Sequence, residues 1–105
     1  MLNTINKVKE IDLQIIKSNE ASINVFEKID NFFIIKRIFT VAINQFNKNE
    51  RGHHAHKIDH QIVTCPNGSI NFSVTDGSSE KNFILNSKSK AIYVPNHIWT
   101  ETSYL

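Results

Sequence analysis

The chain is patterned in twos. Ile70, Phe72 and Val74 alternate with Asn71, Ser73 and Thr75. Side chains two apart share one face of a strand, so this run predicts a strand with a single apolar face. Residues 22–27 read the same way, with Ile23 and Val25 on one face and Asn24 and Phe26 on the other. Residues 11–16, 61–65, 82–85 and 91–94 are apolar runs of strand length. Residues 53–58 form a further short strand. Residues 32–43, long and rich in Ile, Phe and Val, predict a central strand. Residues 1–10 are a frayed end or a first edge strand, and 44–50 a loop. Turn signals stand at Asp30-Asn31, Pro66-Asn67-Gly68 and Asp76-Gly77. The one helical candidate, residues 20–30, is interrupted by β-branched side chains. Roughly eight short strands separated by turn residues predict an all-β sandwich or barrel.

Composition narrows the class. A chain of 105 residues makes one domain, 1–105, with a modest core. A hydrophobic content of 40% argues against disorder. The net charge of +2, with five His besides, is too small for a nucleic-acid surface, yet it suits a small anionic ligand such as a diphosphate. The single cysteine, Cys65, follows Val63 and Thr64 and reads as a small core residue in a reducing compartment. Met1-Leu2-Asn3-Thr4 lacks the basic start of a leader, and no apolar run approaches membrane-spanning length. The expectation is a cytoplasmic protein with neither membrane nor nucleic acid as partner.

Candidate chemistry concentrates in Arg51-Gly52-His53-His54-Ala55-His56-Lys57-Ile58-Asp59-His60-Gln61. On a strand His54 and His56 project together, with Ala55 turned away. Two neighbouring imidazoles can bind a metal, or serve as base and proton shuttle. The plain alternative is a surface strand that carries several histidines by chance. The spacing His54-x-His56, four residues, Gln61, six residues, Gly68 resembles the first cupin motif. The segment Tyr93-Val94-Pro95-Asn96-His97-Ile98-Trp99 resembles the second. In cupins these segments lie on neighbouring strands that face into the barrel. Metal-binding cupins supply two His and a Glu from the first motif and a His from the second. Gln61 and Thr100 stand at the last two places here, and His97 is offset. Two imidazoles with weak donors make a poor transition-metal site, so no metal is expected.

Taken together, Arg37-Ile38-Phe39-Thr40-Val41, Arg51-Gly52-His53-His54-Ala55-His56-Lys57, Gln61, Gly68-Ser69-Ile70, Asp76-Gly77, Tyr93-Val94-Pro95 and Trp99 resemble the sugar nucleotide 3,4-ketoisomerases, the WxcM-like or FdtA-type cupins. The resemblance implies a cupin-type (RmlC-like) β-barrel or jelly roll. It implies homodimers, often with exchanged N-terminal strands. Members move the ketone of dTDP-4-keto-6-deoxyglucose from C4 to C3, with no metal or organic cofactor, and their products feed the amino sugars of bacterial surface polysaccharides. Members usually continue past the point matching Leu105, so the barrel is expected to lack the usual C-terminal strands.

The roles follow from the resemblance. His56 is the carbon base, and His54 moves a proton between the oxygens. Gln61 orients an imidazole or a substrate hydroxyl. Arg51 holds the diphosphate or buttresses a loop. Tyr93 and Trp99 wall the sugar or stack on the base, their plain alternative being core aromatics. Arg37 contacts substrate or is an outward charge. His53 and His60 are expected at the surface, and Asp59 beside Lys57 or in solvent. Phe39 and Thr40 replace a tyrosine pair found in many members. Two rival readings remain: a catalytically silent cupin that binds a sugar nucleotide, and a metal-dependent cupin enzyme.

Overall fold

A computed structural model describes residues 4–27, 32–41, 50–55, 58–86 and 90–105, with the backbone alone at 50–54. A short 3-10 turn, Ile5–Lys7, precedes nine strands among the described residues: β1 Lys9–Asp12, β2 Gln14–Lys17, β3 Ser22–Val25, β4 Glu50–Ala55, β5 Gln61–Thr64, β6 Ile70–Thr75, β7 Glu80–Leu85, β8 Lys90–Val94 and β9 Trp99–Tyr104. They form a three-stranded sheet in the order β1-β8-β5, a hairpin β2-β3, and a four-stranded sheet β4-β9-β6-β7. Every pairing is antiparallel. Among the described residues the arrangement is all-β, as the sequence predicts.

The period-two run sets the core. Ile70, Phe72 and Val74 of β6 are buried, while Asn71, Ser73 and Thr75 are half-buried. Phe72 pairs with Phe83 of β7 and with Thr102 of β9, which fixes the same face on both neighbours. Leu85 continues that face, and Ile92 and Val94 of β8 meet it from the three-stranded sheet, with Ile5, Val8, Cys65 and Ile98 completing the cluster. Cys65 is thus the core residue expected of it. Burial pushes its thiol pKa up, outweighing a backbone hydrogen bond from Asn67 that favours the thiolate.

Several sequence expectations need correction. The run 11–16 is two strands, not one, because the chain changes partner at the buried Leu13: β1 pairs with β8 and β2 with β3. Residues 20–27 hold a strand and no helix. The predicted strand at 53–58 begins at Glu50 and ends at Ala55. The strand predicted from 82 begins at Glu80. Most of the predicted loop 44–50 and the Asp30-Asn31 turn lie outside the described residues.

The predicted central strand, 32–43, is irregular throughout 32–41. Ile34, Ile38 and Phe39 are exposed, Ile38 at 84%. Apolar composition signals a strand only if a sheet edge receives it, and both larger sheets complete their described ladders without this segment. The central position belongs instead to β9, whose sequence looks polar. Its core-side residues are Thr100, Thr102 and Tyr104, β-branched or aromatic side chains that suit a pleated surface.

Three connections meet at one end of the four-stranded sheet. Ala55 faces Trp99 and Trp99 faces Thr75, so the ends of β4 and β6 and the start of β9 coincide. Residues 56–60 lead from β4 to β5, residues 95–98 from β8 to β9, and residues 76–79 join β6 to β7. The last turn depends on Gly77, whose φ of 95° favours glycine. Asp76 organises it: Oδ1 accepts from the Ser78 and Ser79 amides, and Oδ2 from the Ile5 amide, each at 2.8 Å. These bonds, the one from Ile5 foremost, hold the Asp76 carboxyl below its ordinary pKa of 3.8. A lowered carboxylate pKa stabilises the fold above the unfolded value and loses that contribution as pH falls through the folded one. Asp76→Ala is therefore expected to lower the melting temperature at pH 7, with the gap from wild type closing below about pH 4. Thermal melts across that range check it.

Candidate active site

His54 sits on β4 next to the converging end. The β4–β9 register shifts between Gly52 and His54: Gly52 faces Glu101 and His54 faces Thr100, leaving His53 as the extra residue of a bulge. Bulges re-aim the residues after them and recur beside active sites. Thr100 is buried, 6% exposed, on the core side of β9. The His54 backbone is therefore in register with a core-facing position. Arg51 faces Thr102 across the same ladder. The side chains of Arg51 and His54, and all of His56, lie outside the described residues.

Gln61 opens β5 opposite Val94, a core residue of β8. By alternation it shares the core side of the three-stranded sheet with Val63, which packs against the core. The structure thus brings the end of β4 and the start of β5 to the same end of the space between the two larger sheets.

At the same end, but on the outer face of the four-stranded sheet, a cleft of about 530 Å³ is lined by Ala55, Thr75, Asp76, Gly77, His97 and Trp99. Trp99 lies on the face opposite Thr100. The residue is 40% exposed, and its Nε1 donates to Glu101 Oε1 at 3.0 Å, which holds the ring in place. His97 occupies the left-handed region at φ 67°. Its Nδ1 is buried with no hydrogen-bond partner among the described residues.

Tyr93 is placed differently from a sugar wall. It alternates with the core residues Ile92 and Val94 and so lies on the far face of β8. Phe32 stacks on it at 4.7 Å between centroids. Its hydroxyl is 2.8 Å from His60 Nδ1, and the two rings are parallel within 5°. Burial raises the phenol pKa above 10.0, so it keeps its proton. With the imidazole proton on Nε2, the hydroxyl donates to Nδ1. His60, expected at the surface, is half-buried and also stacks on Phe33 at 5.8 Å. Residues 60 and 93 are brought together only by the β5–β8 ladder, which the sequence does not announce. Arg37 is exposed, its guanidinium carbon 4.8 Å from the Phe39 ring centroid, a cation–π contact.

Among the described residues, no helix is long and apolar enough to cross a membrane.

Comparison with known proteins places this geometry in a family. The family described as FdtA, WxcM-like, C-terminal, matches residues 6–105. The TDP-4-oxo-6-deoxy-alpha-D-glucose-3,4-oxoisomerase of Aneurinibacillus thermoaerophilus is 31% identical over 94 residues, 89% of this chain and 67% of that protein. The solved structure of WlaRA, a TDP-fucose-3,4-ketoisomerase from Campylobacter jejuni, is 31% identical with a TM-score of 0.80, covering 92% of this chain and 72% of that one. QdtA, a sugar 3,4-ketoisomerase from Thermoanaerobacterium thermosaccharolyticum solved with TDP, is 30% identical with a TM-score of 0.81, covering 94% and 72%. The chain belongs to the FdtA, WxcM-like family of sugar nucleotide 3,4-ketoisomerases.

Proposed function

We propose that the protein is a dTDP-4-keto-6-deoxyglucose 3,4-ketoisomerase, an isomerase that needs no metal or organic cofactor. The observation that carries this is the convergence of the His54 register position and Gln61 at one end of the space between the sheets. That cleft-bearing end belongs to a chain about 30% identical to QdtA, which binds TDP. A QdtA variant with histidine replaced by asparagine has also been solved with TDP-4-keto-6-deoxyglucose bound.

The reaction is a proton relocation. A hydrogen on C3, beside the C4 ketone, is mildly acidic. His56 removes it, leaving an enediolate across C3 and C4 with the charge on the C4 oxygen. His54 carries the C3 hydroxyl proton to the C4 oxygen. Return of a proton to C4 then gives the 3-ketone. Neutral imidazole suits both directions, because its ordinary pKa lies near 6.5. Gln61 orients an imidazole or a substrate hydroxyl. Arg51 grips the diphosphate through a bidentate contact. Trp99, on the face of β9 opposite Thr100, offers its exposed indole to the base where the substrate leaves the rim of the sheet, and Arg37 supplies a further cation to the nucleotide. Thr100, facing His54 on β9, is a weak metal donor, which favours the metal-free reading.

A homodimer with exchanged strands is part of the proposal. Ile16 and Ile23 face each other across the β2–β3 hairpin and are 49% and 57% exposed, an apolar pair suited to a partner. The cytoplasm is the proposed compartment, where nucleotide sugars are made.

Incubation with dTDP-4-keto-6-deoxyglucose, with and without a strong chelator, tests the reading. Conversion to the 3-keto sugar at equal rates is expected. Binding without turnover would identify a silent cupin, and loss of turnover on chelation a metal enzyme.

A further inference from the structure

The hydrogen-bonded pair on the far side of β5 and β8 has a use in the reaction proposed above. His60 immediately precedes Gln61. Ile62 is in register with Tyr93, and Gln61 with Val94. The Tyr93 hydroxyl therefore ties down the residue before Gln61 from one side of the sheet, while Gln61 projects to the other. Two phenyl rings flank the pair. Phe32 lies 4.7 Å and Phe33 6.0 Å from Tyr93, and Phe33 lies 5.8 Å from His60. The 2.8 Å hydroxyl–imidazole bond is part-buried and flanked by two phenyl rings.

We infer that His60 and Tyr93 are positioning residues of the isomerase, holding Gln61 at the active end of the barrel through their hydrogen bond. This rests on the reading of Gln61 as part of the active site. Neither side chain touches substrate. Their effect travels through the first residues of β5, whose twist sets where the Gln61 amide points. Reaction rates are steep in such geometry, about a hundredfold for a misplacement of 1 Å.

Tyr93→Phe deletes only the hydroxyl and keeps the ring on Phe32. His60→Ala deletes the acceptor, and His60→Gln restores one. Steady-state kinetics and the side-chain amide NMR signals of Gln61 form the readout. In Tyr93→Phe and His60→Ala, kcat is expected to fall about ten- to a hundredfold with KM within about twofold of wild type. The Gln61 amide signals should shift, and the double variant should be no slower than the slower single one. His60→Gln should recover part of kcat. A raised KM at unchanged kcat would make Tyr93 a substrate wall and overturn the proposal, as would unaltered kinetics. Unmoved Gln61 signals would overturn it whatever the rates. If wild type itself proves inactive on the sugar, the functional reading falls separately, and the Gln61 signals alone then decide whether the pair positions that residue.

Discussion

Asparagine in place of His56 is expected to slow isomerisation about 10²–10⁴-fold, the range general-base catalysis supplies. The amide is close in size to imidazole and can hydrogen-bond, but it cannot accept a proton near neutral pH. Folding and TDP binding should survive, because binding is assigned to other groups. Exchange of the C3 proton with solvent, followed by NMR, isolates the step: it should vanish in His56→Asn. In His54→Asn, where only transfer between oxygens is impaired, exchange should persist while product forms slowly. Turnover close to wild type in His56→Asn would remove that residue as the base.

The largest effect on stability is expected from Phe72→Ala. Phe72 is 3% exposed and pairs with Phe83 on one side and Thr102 on the other. Truncation leaves a cavity between the sheets, and Phe→Ala changes in cores destabilise by about 3–5 kcal/mol. Small domains have only about 5–15 kcal/mol in total, so the variant should be close to unfolding at 37 °C. Urea denaturation should show a lower midpoint at an unchanged slope. A loss under about 1 kcal/mol would mean that the site collapses around the gap, or that β6 does not centre the core.

The strands that could be read in the sequence were those whose apolar face stands against a polar one. Residues 70–75 gave both the strand and its buried face, and Pro66-Asn67-Gly68 and Asp76-Gly77 gave turns that the glycine φ values of 83° and 95° require. β9 escaped because threonine counts as polar although Thr100 is buried. Residues 32–41 misled in the opposite sense: Ile34, Ile38 and Phe39 are apolar but exposed.

The family was legible as well. The spacing of His54, Gln61 and the Tyr93–Trp99 segment pointed to strands that do converge, and the family followed from it. The direction of individual side chains was not legible. Tyr93 and Trp99 looked alike as pocket aromatics, yet Tyr93 is committed to His60 on the far face while Trp99 borders the cleft. A face depends on register, and register is set by partners distant in the sequence. The same reasoning applies to His60, whose partner lies 33 residues away.

The central claim is that paired imidazoles relocate a ketone through an enediolate. Incubating wild-type protein with dTDP-4-keto-6-deoxyglucose in deuterated water tests it most directly. The account predicts a 3-keto product carrying solvent deuterium at C4. Recovery of unchanged, unlabelled sugar from folded protein that demonstrably binds TDP would contradict it.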